Sequence, residues 1–495
     1  VASCEERWYE QTTDHFGWAA PAGGALASTF QQRYFLCAKA WKASPLPPAQ
    51  RPVLFYFGNE DNVELYLNHT GLMWDNADKL GAALLFVEHR YYGESLVHAA
   101  PGRNGTLPGN PACLNYCTTD QALADFASVL MDLEVVLDGT KRGTTPVIGF
   151  GGSYGGMMAA WFRIKYPHLV DGVIAASAPI WSFFGLTPSY DPSGFYQVVT
   201  RDASKGGGAA PACAANAKEA FRRIDKAGQT QQGRGLLASS FRTCAPLSDA
   251  GAAAALSDWA QSPWATLAMG NFPYPSTYLM HGLSLLPAWP VRAACEPLRD
   301  AALATGDDGP LFEAMREAVA VYFNNTGQAA CFFNQPAQDA VAEANDVAIT
   351  DTCVGDWDWQ WCTEMHQPFT QGTDKDMFYP LEAYNQSAAF AGCAAQWGVT
   401  PRPLWAATAW WGSDLSRASN IVFSNGLLDP WSAGGVTRNI SVSRDVTAII
   451  LPNGAHHLDL MFSNDLDPPD AVWARQYELA RIQKWIGAKR GVAAM

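Results

Sequence analysis

Ser153 stands in Gly151-Gly152-Ser153-Tyr154-Gly155, directly after the apolar run Val147-Ile148-Gly149-Phe150. A serine held on a sharp strand-to-helix turn crowds the positions two residues to either side, so both must lack side chains. The motif alone is weak, because a chain with 43 glycines surrounds serines with small residues for turn reasons. Its flanks strengthen it. A β-like run precedes it, and Met157, Ala160, Trp161 and Ile164 repeat at helical spacing after it, up to Pro167. The spacing predicts a nucleophile elbow that lifts the Ser153 hydroxyl clear of a sheet.

The rest of the first 180 residues supplies that sheet. Residues 53–57, 84–87, 147–150 and 173–176 read as buried strands, alternating with helical periodicity in the manner of a mostly parallel sheet. Between two of them Leu123, Phe126, Leu130, Leu133 and Leu137 recur at three- and four-residue spacing behind a Thr118…Gln121 capping box, with Gly139 at the end. One crossover helix is expected there. From about Trp181 to Thr400 strand-like runs thin out, tryptophan and proline are frequent, and seven of the eleven cysteines occur. This reads as an inserted, mainly helical domain, with one helix marked by Leu311, Met315, Val319 and Tyr322, and with residues 205–210 and 251–255 as loops or weak helix. The sheet pattern resumes at 421–424 and 447–451, followed by a terminal helix carrying Val472, Leu479, Ile482 and Ile486. The expected organisation is residues 1–180 and 401–495 as two parts of one α/β domain, with 181–400 as a cap.

A serine nucleophile needs a base and a group that orients the base, and behind a nucleophile elbow these follow in the order Ser, Asp, His. Residues 421–424 run into Asn425-Gly426-Leu427-Leu428-Asp429-Pro430-Trp431, and 447–451 run into Gly454-Ala455-His456-His457. Taken singly, Asp-Pro is a common turn opener and a histidine in a glycine loop is usually a solvent-facing polar residue. All three residue types just beyond predicted strands, in this order, point to Ser153, Asp429 and a histidine of the 456–457 pair. Neighbours in an extended loop point opposite ways, so only one of the two histidines can face Ser153, and the residues alone leave the choice open. Oxyanion donors are expected from the Tyr154 N–H and from the loop Gly58-Asn59-Glu60. The fold class that follows is an α/β-hydrolase with an inserted, mainly helical, disulfide-containing cap.

Competing chemistries find little support. Gly149 opens a near miss to the dinucleotide-binding G-x-G-x-x-G that ends in Tyr154, and neither a Walker lysine motif nor H-E-x-x-H occurs. No cofactor or metal is expected. Lys and Arg total 33 against 47 Asp and Glu, a net charge of −14, which argues against nucleic acid or an anionic membrane as partner. No run of about twenty apolar residues predicts a membrane-spanning helix. The cysteines lack paired C-x-x-C spacing and read as disulfides, with at least one left over from an odd count of eleven. Sequons at Asn68, Asn104, Asn324, Asn385 and Asn439 agree with a lumenal, lysosomal or vacuolar, or extracellular setting. The chain begins at Val1 without an apolar signal segment, as expected if a leader has been removed or omitted.

Several longer motifs go beyond fold. The elbow through Met157, Ala176-Ser177-Ala178-Pro179-Ile180-Trp181, Glu88-His89-Arg90-Tyr91-Tyr92-Gly93, Asp429-Pro430-Trp431 and Gly454-Ala455-His456-His457-Leu458-Asp459-Leu460 resemble the prolylcarboxypeptidase and dipeptidyl peptidase II family of serine exopeptidases that cut after proline. Leu286-Pro287-Ala288-Trp289-Pro290, Cys362-Thr363-Glu364-Met365, Asp376-Met377-Phe378 and Trp397-Gly398-Val399 extend the resemblance through the insert. The resemblance implies His456 as the base, a cap that admits a chain end but not a folded loop, and a proline pocket walled by Met157, Trp431 and Met377. Core packing accounts for Met157 and Trp431 equally well. Glu60 is the expected substrate contact of its loop, and short peptides with proline near one end are the expected partners, with a homodimer as a further expectation. It also implies work at mildly acidic pH.

Two departures stand out. The family reads Gly-Asn-Glu-Gly where this chain has Gly58-Asn59-Glu60-Asp61, and residues 98–117 hold an extra Gly/Pro-rich stretch in which the close spacing of Cys113 and Cys117 points to a local disulfide or an added surface loop. Ala288-Trp289-Pro290 and Pro179-Ile180-Trp181 lean toward the carboxypeptidase, whereas Trp411-Gly412-Ser413-Asp414-Leu415 and Arg438-Asn439 lean toward the dipeptidyl peptidase. A Pro-X carboxypeptidase is the primary expectation and release of N-terminal X-Pro dipeptides the alternative. An esterase or lipase, or an inactive binding protein on the same fold, are the readings from other classes.

Overall fold

The structure, a computed structural model, describes residues 4–100, 110–333 and 352–493. Eight strands form the main sheet: β1 (Glu5–Thr12), β2 (Thr29–Cys37), β3 (Val53–Phe57), β4 (Ala83–Val87), β5 (Val147–Gly152), β6 (Gly172–Ala176), β7 (Ile421–Gly426) and β8 (Val446–Leu451). Their spatial order is β1-β2-β4-β3-β5-β6-β7-β8. β1 pairs antiparallel with β2 and β2 with β4, and every other pairing is parallel. β3 to β7 are buried along their whole length, which is why they read as unbroken apolar runs. β1 carries charged residues on an exposed edge and offers no such run.

Alternation along β3 divides the core. Phe55 and Phe57 face α1 (Thr119–Met131) and α2 (Tyr154–Lys165), while Leu54 and Tyr56 face the layer that holds the terminal helix α11 (Pro469–Ala493). The expected crossover helix forms, but it stops at Met131 and resumes as the short turn Leu133–Val136. Asp132 turns out of the helix and its carboxylate accepts from the Tyr9 hydroxyl at 2.6 Å, while Leu133 and Val136 stay buried. Thr118 caps the Gln121 N–H, but Gln121 reaches Asp14 rather than back to the cap, so only half of the capping box is made. In α11 the inward stripe is Ala471, Ala474, Ile482, Trp485 and Ile486; Val472, expected inside, is exposed.

Between β6 and β7 the chain leaves the sheet. Helices α3 (Gly194–Asp202), α4 (Cys213–Gly228), α5 (Gln231–Phe241), α6 (Ala250–Gln261), α7 (Pro263–Met269) and α8 (Asp308–Phe323) share their own apolar core, to which α8 gives Leu311, Met315 and Val319 as its spacing predicted. The alanine- and glycine-rich residues 251–255 lie inside α6. A second stretch, with α9 (Trp357–Thr363) and α10 (Gln386–Trp397), packs Trp359 and Trp397 against Tyr91, Tyr92 and Cys113. Residues 405–418 return to the sheet, where Trp410 stacks on Trp161.

Disulfides join Cys4 to Cys37, Cys113 to Cys353, Cys213 to Cys295, Cys244 to Cys331 and Cys362 to Cys393. The local Cys113–Cys117 link, one of the two readings of their spacing, is not made. Cys113 ties the extra loop to the second half of the insert, and Cys117 is a buried free thiol. Among the described residues no helix is long and apolar enough to cross a membrane.

Candidate active site

The turn at Ser153 has the geometry its glycines require. Ser153 takes φ 58° and ψ −127°, a left-handed conformation that costs a non-glycine residue on the order of 1–3 kcal/mol, and it is held by its N–H donating to the Ala176 carbonyl at 3.0 Å. A side chain at 151 would run into the Gly155 carbonyl, and one at 155 into the Phe57 carbonyl and Asn59. Tyr154 opens α2, so its N–H has no partner within the helix.

Asp429 follows β7 and is fully buried. Its Oδ1 accepts from the Trp431 N–H at 3.1 Å, and its Oδ2 lies 2.9 Å from His456 Nδ1. An ionised carboxylate only accepts, so Nδ1 carries the proton and Nε2 keeps its lone pair. The His456 N–H donates to the Met269 carbonyl at the end of α7, which pins this loop to the cap. His457 points elsewhere: its N–H donates to Ser177 Oγ at 2.8 Å and its ring packs edge-on against Tyr278. Burial pushes its imidazole well below the ordinary range, so it stays neutral.

Ser153 and His456 open into one cavity of about 280 Å³ that also exposes Tyr154, Met157, Glu60 and Trp431. Trp431 is clamped edge-on by Phe195 and Phe369 from the insert, and its indole N–H donates to Met269 Sδ. Met377 is not part of this wall; it is buried in the cap core, with its N–H donating to Thr200. Sequence reading missed the residues that take its place, Met269, Tyr278 and Tyr322, because only the folded cap brings them over the elbow.

The Gly58 loop needs a correction as well. The Gly58 N–H donates to the Val87 carbonyl at 3.0 Å and is spent on the sheet, and a Cβ there would collide with the same carbonyl. Asn59 is buried against Gly155 and remains beside the elbow. Asn62 caps the next helix and accepts from Arg33, which pairs with the buried Glu88. Glu88 also accepts from the N–H groups of Val63 and Glu94, and Arg90 makes a fully buried pair with Asp125. The Glu88–Gly93 motif thus anchors the loop from behind.

Beneath the elbow lies a polar network that the sequence did not reveal. The Tyr154 hydroxyl is 2.8 Å from Thr119 Oγ1, 3.1 Å from His89 Nε2 and 3.2 Å from Gln360 Nε2. Glu364 accepts from both the N–H and the hydroxyl of Thr119 at 2.6 Å. Burial raises the Glu364 carboxyl to about 7, against the pull of the Thr119 bonds. Burial likewise drives His89 down to about 4, so it acts as a neutral acceptor.

Of the sequon asparagines, Asn68, Asn385 and Asn439 are exposed, Asn324 is half-buried with its side-chain oxygen accepting from the Ala329 N–H, and Asn104 lies outside the described residues. Among the described residues no cluster of three or more metal-ligating side chains occurs.

The sequence matches the family model of serine carboxypeptidase S28 over residues 11–478. It is 40% identical to lysosomal Pro-X carboxypeptidase of Mus musculus, covering 97% of this chain and 88% of that protein, and 39% identical to its Homo sapiens counterpart over the same shares. Thymus-specific serine protease of Mus musculus is more distant, at 27% identity over 97% of this chain and 86% of its own. With an α/β-hydrolase sheet beneath a helical cap and a family match running through both, the chain belongs to the serine carboxypeptidase S28 family and is a serine-type peptidase.

Proposed function

We propose that this peptidase is a Pro-X carboxypeptidase, hydrolysing the bond after proline near the carboxyl end of short peptides. The observation that carries the reading is the Asp429–His456 pair, set beside Ser153 in a cavity walled by Met157 and Trp431. Ser153 Oγ attacks the scissile carbonyl as His456 Nε2 takes its proton, and the oxyanion is received by the N–H groups of Tyr154 and Asn59. Collapse expels the amine, to which His456 returns the proton, and leaves an acyl-Ser153. Water then attacks the acyl group with His456 again as base, releasing the acid and restoring the serine. Asp429 holds the tautomer throughout. Proline is rigid and lacks an N–H, so a pre-shaped apolar pocket binds it with little ordering cost.

The similarity to lysosomal Pro-X carboxypeptidases supports the same polarity and a lysosomal or secretory location, in keeping with the disulfides and exposed sequons. A homodimer is the remaining proposed partnership, to be read by sedimentation.

The deciding test compares an amino-blocked X-Pro-Phe peptide with a free-amine Lys-Pro-reporter. Turnover of the first is expected; turnover of the second alone would assign release of N-terminal dipeptides. Fluorophosphonate should label the parent and not Ser153→Ala, and an unlabelled parent would revive the inactive-binder reading. Turnover of short acyl esters with no peptide turnover would favour an esterase.

A further inference from the structure

An exopeptidase must read a chain end, and among the described residues no lysine or arginine lines the active-site cavity. Apart from His456, its ionisable groups other than phenols are Glu60, Asp61 and His281. Glu60 follows Asn59 on the loop after β3, and its Oε2 is wholly buried yet has no hydrogen-bond partner. Asp61 accepts a hydrogen bond from Nδ1 of His281, which reaches over from the insert and is largely exposed at the mouth. With Nδ1 taken by Asp61, Nε2 is the His281 nitrogen left for another partner.

We propose that Glu60 and His281, the latter held in place by Asp61, receive the free carboxylate of the substrate's last residue. The inference rests on the post-proline carboxypeptidase reading and supplies its terminus-recognition site. A carboxyl that burial holds toward its neutral form offers an O–H donor, and a protonated imidazole offers an N–H donor in the same cavity. Both donors suit an anion, and hydrogen bonds to a charged partner are the strong ones. Asp61 is already matched by His281, so it does not repel the incoming group.

The arrangement implies a pH dependence. Burial raises the Glu60 carboxyl, with Asp61 adding to the rise and His456 opposing it. The hydrogen bond to Asp61 raises His281, and Glu60 adds to that effect. The remaining titratable groups facing Glu60 are the phenols of Tyr56, Tyr66, Tyr92 and Tyr278, all held neutral by burial. In acid the pair offers two donors; when Glu60 ionises as pH rises it turns from donor to repeller.

The test uses the full-length enzyme and a matched pair of substrates, amino-blocked X-Pro-Phe as free acid and as amide, with KM and kcat measured across pH for the parent, Glu60→Gln and His281→Gln. The parent should favour the acid over the amide by about tenfold or more in acid, a preference that shrinks toward neutral pH. Glu60→Gln, a donor that cannot ionise, should keep the preference and flatten its pH dependence. His281→Gln should raise KM for the acid by about tenfold more than for the amide. Equal effects on acid and amide in both variants would overturn the proposal, as would loss of free-amine Lys-Pro turnover in Glu60→Gln, which would assign the cluster to an amino terminus. Cleavage of both peptides without discrimination sinks only this inference, whereas labelled Ser153 with neither peptide cleaved sinks the post-proline reading beneath it.

Discussion

Asp429 Oδ2 and His456 Nδ1 lie 2.9 Å apart with both side chains withdrawn from solvent, and the carboxylate can act there only as an acceptor. The pairing therefore sets which imidazole nitrogen is free. Asp429→Asn keeps the shape but lets the amide donate, which favours the opposite tautomer. A fall in kcat of about 10⁴-fold with little change in KM is expected in steady-state assays. A loss below about tenfold would remove Asp429 from the role proposed for it.

Gly151→Ala tests the elbow without touching chemistry. Its Cβ would collide with the backbone of Gly155, which cannot move without dragging α2. Destabilisation of at least about 3 kcal/mol by denaturant titration is expected, with loss of fluorophosphonate labelling. A folded, fully labelled variant would contradict the packing described.

Glu364 makes a pH-dependent contribution to stability. Its carboxyl moves from 4.5 to about 7 on folding, so between those values the folded chain holds more protons than the unfolded one and stability falls as pH rises. The buried His89, lowered to about 4, pulls the other way, so the readout is the difference between parent and Glu364→Gln. The variant should gain roughly 3 kcal/mol relative to the parent between pH 4.5 and just above pH 7, by thermal or denaturant unfolding. A parent-to-variant difference flat across that window would show that the carboxyl does not change state there.

Trp431→Ala removes the indole that Phe195 and Phe369 hold against the cavity. If the wall serves the ring of proline, as proposed, kcat/KM for a Pro-X peptide should fall about 100-fold, and that for the matching Ala-X peptide by much less. Equal losses on both would make Trp431 a packing residue only.

Tyr154→Phe would strand His89 Nε2 and Gln360 Nε2 in a dry network. A cost of about 1–3 kcal/mol in stability is expected from those unpaired groups. Stability equal to the parent would mean that the two groups find other partners.

Much of this was legible in the chain because the signals were local. The elbow glycines, the parallel strands and the turns bearing Asp429 and His456 each depend on a few neighbouring residues, and all eight strands but the polar β1 and the β2 beside it announced themselves as apolar runs. Long-range relations were misread. Cys113 pairs with Cys353 rather than with Cys117, Met377 packs into the cap rather than the cavity, and the Gly58 N–H serves the sheet. Spacing cannot report a partner that arrives from 240 residues away.

Sequence by itself determined the strand-turn-helix at Ser153, the order of serine, aspartate and histidine, and the presence of an insert between the two halves of the sheet. Tertiary structure supplied the Asp429–His456 contact, a choice that the residues by themselves left open and only the resemblance implied, and it alone decided which residues of the insert cover Ser153 and that Glu60, Asp61 and His281 line one cavity. The physical reason is range. Backbone conformation and side-chain periodicity are set within a few residues, whereas hydrogen bonding between distant segments and the burial that shifts a carboxyl or an imidazole exist only once the cap is packed on the sheet.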